Sequence, residues 1–342
     1  GTPVNVIYTE FSDTRALAEV DVNLTPARVF VKPFQYEKAI GKEGSASLKV
    51  GIQNGNPIDV TDFSASAPGL KLDKAALKFK PVGTKTELVS GSFSSFSIGQ
   101  TLGSMNFEID PSGRMKFIMD APNFDARPFL DNEDKDPNAE QPAVVVSLSA
   151  ARMITVEDEA VTGAKVYLDL DDQGRFNQFE VDATVGTGKA FLRFKPDNKG
   201  ARNFRFQAED AGATLKAFGI YDKMVGGTLS IYGEPIRGVG DRDILGLGEI
   251  TDFKVVNAPV LAKLLGALSL PGLLSLLGEE GVTFAKLESK FNWTYRKGGS
   301  LLTMEEGRTS GNSLGLNFDG TYDGALRTLD ISGTIVPISG VN

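Results

Sequence analysis

The sequence predicts an all-β chain, a meandering antiparallel sheet with a few short helices, on three observations. Apolar and polar residues alternate from end to end, the period of strands with one buried face. Glycine supplies 38 of the 342 residues, about 11% against a usual ~7%, while proline at 16 is ordinary. Glycine-bearing breaks, as at Gly113, Gly174, Gly200, Gly299 and Gly324, fall at roughly the 8 to 12 residue spacing of a sheet protein. Parallel strands buried on both faces would give continuous apolar runs instead.

In chain order, Ala16, Ala18, Val20, Val22 and Leu24 alternate with Leu17, Glu19, Asp21 and Asn23, which predicts a strand. Met105, Phe107 and Ile109 lead into a Pro-Ser-Gly turn, and Met115, Phe117 and Met119 follow it, which predicts a hairpin. Residues 131–142, DNEDKDPNAEQP, hold five acids, two prolines and no apolar residue but one alanine, and predict a solvated loop or linker. Further strands are marked by Leu168 with Leu170, Phe204 with Phe206 and Leu329 with Ile331. After Asp210, residues 211–223 carry Leu215, Phe218 and Ile220 with few turn residues and predict a short helix. Residues 258–278, APVLAKLLGALSLPGLLSLLG, place leucines on two successive helical stripes divided by Pro271-Gly272. Two short helices are expected there, each too short to cross ~30 Å of hydrocarbon.

Composition excludes much chemistry. The chain has no histidine and no cysteine, so it can supply no Ser-His-Asp triad, Cys-His dyad, His/Cys zinc site or disulfide. Its 36 basic against 44 acidic residues give a net charge of −8, and the basic residues are scattered singly, unlike the clusters that neutralise nucleic-acid phosphates. GNSLG at 311–315 fits a nucleophile elbow at Ser313, but no histidine can serve it and strand-like sequence follows. Asp169, Asp171, Gln173, Gly174 and Glu180 take the spacing of a calcium loop, yet their flanks alternate as strands, so DLDDQG is either a hairpin turn or a calcium site. The acidic 131–142 loop could also collect cations weakly. GTGK at 186–189 opens a strand, not a helix, and lacks the phosphate-loop spacing. The acids at 157–159, 279–280 and 305–306 are adjacent and not set across a cleft.

Three long stretches resemble the C-terminal region of bacterial AsmA-like proteins: DAGATLKAFGIYDKMVGGTLSIYG at 210–233, GEITDFKVVNAPVLAKLLGALSLPGLLSLL at 248–277 and SLGLNFDGTYDGALRTLDISGTIVPISGVN at 313–342. SFSIGQTLGSMNFEIDPSGRMKFIMDAPNFDARPFL at 95–130 is similar to the sheet segment preceding it in that family. The resemblance implies a periplasmic protein of Gram-negative bacteria, anchored in the inner membrane by an N-terminal transmembrane helix. It implies a long antiparallel sheet curled into a U-shaped apolar groove of the repeating β-groove (β-taco) type, as in bridge-like lipid transfer proteins. The role it implies is transport of phospholipid toward the outer membrane, without enzymatic chemistry. Gly1 is not preceded by an anchor, and relatives continue past VPISGVN, so an internal fragment is expected, with both membrane contacts in parts absent from it.

On that reading residues 1–130 form the N-terminal part of the groove, 131–142 a linker, and 143–342 the AsmA-like part with helical insertions near 211–223 and 258–278. The residues expected to line the groove and hold acyl chains are Met105, Phe107, Ile109, Phe117, Leu168, Leu170, Phe179, Val181, Leu192, Phe194, Phe204, Phe206, Leu229, Ile231, Leu316, Phe318, Leu329 and Ile331. Leu261, Leu264, Leu265, Leu268, Leu273, Leu274 and Leu277 are expected to cap or gate it. No cofactor, metal or nucleic acid is expected. Envelope protein partners stay open, and so does the alternative of a closed β-sandwich scaffold for outer-membrane protein assembly.

Overall fold

The computed structural model describes residues 1–83, 85–130, 142–156, 159–196, 200, 202–236, 243–257, 262, 281–296, 299–311, 314–326 and 328–337. The chain is mainly β. Its strands are β1 (Val4–Ser12), β2 (Arg15–Asn23), β3 (Val29–Val31), β4 (Tyr36–Lys38), β5 (Ser45–Gln53), β6 (Asn56–Ala67), β7 (Leu70–Val82), β8 (Lys85–Ile98), β9 (Thr101–Ile109) and β10 (Met115–Asp125). After helix α1 (Arg127–Leu130) come β11 (Val144–Val156), β12 (Glu159–Leu170), β13 (Phe176–Val185), β14 (Gly188–Pro196) and β15 (Arg202–Ala208). Helix α2 (Ala211–Ala217) precedes β16 (Met224–Pro235), β17 (Ile244–Val255), β18 (Val282–Arg296), β19 (Gly299–Gly311), β20 (Leu314–Asp323) and β21 (Thr328–Pro337). Nineteen strands belong to one sheet, and β3 and β4 form a small ribbon.

The chain divides into two compact units. One takes in the chain up to α1, β11 as far as Ile154, and Lys165–Asp172. The other holds Thr155–Ala164 and everything from Gln173 onward.

Turn chemistry sets the meander of the first unit. Asn54 and Gly55, both at positive φ, close β5 onto β6, as a two-residue hairpin of Asn-Gly type demands. The expected β9–β10 hairpin is present, with Met105 opposite Met119, Phe107 opposite Phe117 and Ile109 opposite Met115. Its turn is held by the Asp110 carboxylate, which accepts from the Ser112 and Arg114 backbone amides at 2.8 and 3.1 Å.

Among the strand pairs whose register is described, one departs from the expected antiparallel order. β11 pairs with β10 in parallel, Met115 opposite Val144 through Asp125 opposite Ile154. A parallel partner requires a crossover of a dozen or more residues, and residues 126–143 provide it. The acidic stretch expected as a linker falls in this connection; its residues 131–141 lie outside those described. Near the crossover, a 3₁₀ turn at Lys32–Phe34 and α1 bring together Phe34, Phe96, Phe124 and Phe129, with ring centroids 5.4–6.2 Å apart.

In the second unit α2 is shorter than the expected 211–223. Asp210 caps its start, accepting from the Ala213 amide at 3.0 Å. Its end is a Schellman turn: Gly219 sits at φ +67, its amide donates to the Lys216 carbonyl at 2.9 Å, and the Ile220 amide reaches the Leu215 carbonyl at 2.8 Å. Phe218 and Ile220 therefore lie beyond the helix. The leucine-rich 258–278 segment, apart from Ala262, lies outside the described residues, and with it every leucine expected to cap or gate.

The β10–α1 junction rests on Asp125. Arg127 grips its carboxylate with two side-chain bonds at 2.8 and 2.7 Å and a backbone bond at 3.1 Å. The Arg127 hydrogen bond, foremost, holds the Asp125 carboxyl below its ordinary value. A depressed carboxyl stabilises the fold above the unfolded-state value of about 3.9 and loses that contribution as pH falls through the folded value. The stability of the wild-type chain should therefore decline below about pH 4 more steeply than that of Asp125→Asn, as read from urea midpoints across acid pH.

Candidate functional site

Directly opposed residues on neighbouring strands share a face, so the register tells which side chains stand together. In the second unit one row across the sheet reads Phe179, Phe194, Phe204, Gly233, Gly246, Phe291, Met304, Gly320 and Ile331. The next reads Val181, Leu192, Phe206, Ile231, Gly248 and Ser289, and continues from Gly307 to Phe318 and Gly333. A third runs Ala183, Ala190, Ala208, Leu229, Ile250, Leu287, Thr309, Leu316 and Ile335. On the other side of the first row stand Pro235, Ile244, Trp293, Leu302, Tyr322 and Leu329. All twelve residues expected here to face a groove, Phe179 to Ile331, thus share one face.

That face is buried in part and exposed in part. Phe194 and Leu229 are buried at 8% and 4% exposure, but Trp293, Leu329 and Ile331 are 41%, 55% and 50% exposed. Phe179, Val181, Leu192, Phe204, Phe206, Ile231, Leu316 and Phe318 are half-buried. A second sheet laid across them would take them all into a dry core.

The reverse face carries cross-strand ion pairs beside the exposed Tyr232, Leu245 and Leu247. Arg193 pairs with Glu180 and Asp182 at 3.0 and 2.5 Å, Lys286 with Glu249 and Glu288 at 2.8 Å each, and Lys290 with Glu306 at 2.7 Å. Hydrogen bonds to Glu249 and Glu288 hold the Lys286 ammonium well above the ordinary lysine value, and Lys290 holds Glu306 below the ordinary carboxylate value.

Three glycines on the apolar face are filled by their neighbours. A Cβ on Gly246 would stand 2.7 Å from the Phe291 ring, one on Gly307 2.5 Å from Phe318, and one on Gly320 3.0 Å from Ile331. Each ring lies across the bare backbone beside it and recovers the packing that glycine forgoes in a strand. Phe291, Trp293, Ile244 and Met304 were not among the expected lining residues, although the alternation Phe291-Asn292-Trp293 signals a strand.

The first unit repeats the pattern. Tyr8, Ala18, Val50, Val60, Leu77, Gly91, Phe107, Phe117 and Val146 form one row, with the Phe107 ring over Gly91. Ile109 and Met115 lie in the row beyond, and Met105 and Met119 in the row before. Leu168 and Leu170 are half-buried on β12. Toward β1 a shallow cavity of about 730 Å³ opens where Ala46 and Ala65 stand between Val22 and Leu72.

The other motifs resolve as turns and strands. Gly186 at φ +58 belongs to the two-residue β13–β14 turn, and Lys189 begins a strand, its Nζ donating to Thr184. DLDDQG runs from the end of β12 into the turn before β13, with no helix on either side, and the Asp169 carboxylate meets Arg114 at 2.6 Å. Ser313 is outside the described residues, and β20, not a helix, follows it. Among the described residues no group of three acids could hold a metal ion, and no helix is long and apolar enough to cross a membrane. No protein family, curated protein or solved structure matches the chain.

The interlock of ring and glycine has a measurable consequence. Phe291→Ala should lower unfolding free energy by about 3–5 kcal/mol, and Gly246→Ala, whose Cβ meets the Phe291 ring and the Tyr232 carbonyl, by about 1–3 kcal/mol. Denaturant melts at unchanged slope would check both.

Proposed function

We propose that the chain binds the hydrocarbon of phospholipids along its apolar face, that this face is the wall of a U-shaped groove, and that the protein carries lipid between the inner and outer membranes of a Gram-negative envelope. The observation that carries the reading is one apolar face that runs in register across the nine strands β13 to β21, buried at Leu229, Ile250 and Phe291 and half-buried or exposed at Phe179, Phe204, Phe206 and Trp293, with ion pairs on its reverse. Apolar area left in water forgoes ~25 cal/mol per Å², and monomeric proteins rarely expose contiguous patches beyond a few hundred Å². Acyl chains are suited to cover it: each methylene buried contributes about 0.8 kcal/mol without directional demands. The resemblance to AsmA-like proteins supports the same class of cargo and a periplasmic setting. The groove needs no nucleophile, cofactor or metal to act.

Solvent extraction of the purified chain followed by mass spectrometry should release phospholipid in stoichiometric amount. The double variant Phe204→Asp with Phe206→Asp, which sets two charges on the face, should lose nearly all of it while keeping its β circular dichroism. A lipid-free wild type, or a folded double variant as rich in lipid as the wild type, would refute the reading and favour a closed scaffold.

A further inference from the structure

Not every glycine on the apolar face is filled. Gly248 stands two residues from Gly246 on β17 and points the same way, between Ile231 and Ser289. A Cβ there would meet nothing nearer than the Ser289 carbonyl oxygen, at 3.9 Å. Glycine inside a strand weakens it, and its usual reasons are a bulge, a positive φ, a neighbour in the way or the close approach of a ligand. The first three are absent: register runs unbroken from Ile244 to Thr251 against both neighbours, and Gly248 is not at positive φ. Ser289 beside it is 7% exposed, and its hydroxyl lies 2.9 and 3.1 Å from the Lys290 and Glu305 carbonyls, so it is satisfied by backbone. What remains is a small notch with an apolar surround of Ile231, Ile250, Leu287 and Phe291.

We propose that Gly248 is a specificity-determining residue that seats an acyl chain of the bound phospholipid against the backbone of β17. This rests on the lipid-groove reading. A side chain at Gly248 would lift the hydrocarbon off the strand without disturbing the sheet, the reverse of what a side chain at Gly246 would do.

The test compares wild type, Gly248→Ala and Gly248→Val after incubation with vesicles of phosphatidylethanolamine and phosphatidylglycerol bearing palmitoyl and oleoyl chains. Retained lipid is quantified by mass spectrometry and stability by urea melts. Displacing one methylene corresponds to about a fourfold loss of retained lipid and displacing two to about fifteenfold. Those losses are expected for the alanine and valine variants, with unfolding midpoints at or above that of wild type. Lipid-loaded wild type with equally loaded, folded variants overturns the role of Gly248 and leaves the groove standing. Unfolding of the alanine variant overturns it too, because the space would not be open. A wild type that takes up no phospholipid removes the groove reading itself.

Discussion

Twelve side chains can share one face only if every strand between them keeps its alternation in phase with its neighbours, because a slip of one residue turns a whole strand inside out. The chain does not alternate perfectly. Val60 and Phe63, Leu72 and Ala75, and Met304 and Gly307 are three apart, yet each pair lies on the apolar face. Bulges absorb the extra residue. Asp62, Lys74 and Glu306 occupy these gaps at φ +49, +49 and +53, and the register shifts beside each of them. Two of these residues are anchored on the polar face, Asp62 by Lys49 at 3.1 Å and Glu306 by Lys290 at 2.7 Å. The charges stay on the wet side of the sheet, and the bulge adds the twist that a long sheet needs.

A single layer of sheet must find on its own two faces what a sandwich finds between layers. On one face the answer is rings laid over glycines, Phe107 on Gly91, Phe291 on Gly246 and Phe318 on Gly307. These contacts are local to two neighbouring strands, and the Phe107 and Phe291 rings are buried at 7% exposure each. On the other face it is cross-strand ion pairs, each modest when exposed, which suit a surface that stays wet. Neither device requires a covering layer, so the apolar face can remain open without the sheet losing its register.

Much of this was legible in the residues. The period of two, the Pro-Ser-Gly hairpin and the identity of the shared face all follow from spacing that strand geometry imposes. Three things did not. The bulged strands break the period, so Met304 and Gly307 look out of phase until the backbone at Glu306 is seen. Glycine positions such as Gly246 and Gly248 are identical in sequence terms, and only the distance to Phe291 tells the filled one from the open one. The parallel β10–β11 pair was hidden because the residues of β11 alternate as any one-faced strand does, while direction is set by the length of the connection before it. Helix α2 ended early for a reason present in the sequence, Gly219, whose left-handed conformation outweighs the apolar spacing beyond it.

For hydrocarbon moving along this face, polarity cannot be what sets the pace. Within the three central rows of the second unit the polar side chains are those of Ser289 and Thr309. The Ser289 hydroxyl lies against backbone carbonyls, and Thr309 accepts from the Leu316 amide at 3.0 Å. A chain passing from Phe206 to Ile231 and on toward Phe318 exchanges one set of dispersion contacts for another of similar strength, since such contacts are individually small and without direction. What differs along the path is height: rings stand over Gly246 and Gly307, and backbone is bare at Gly248. If hydrocarbon is held there as proposed, retention is decided by shape, where a methylene can come closest to the strand, and on that proposal the residue that decides it is the one with no side chain at all.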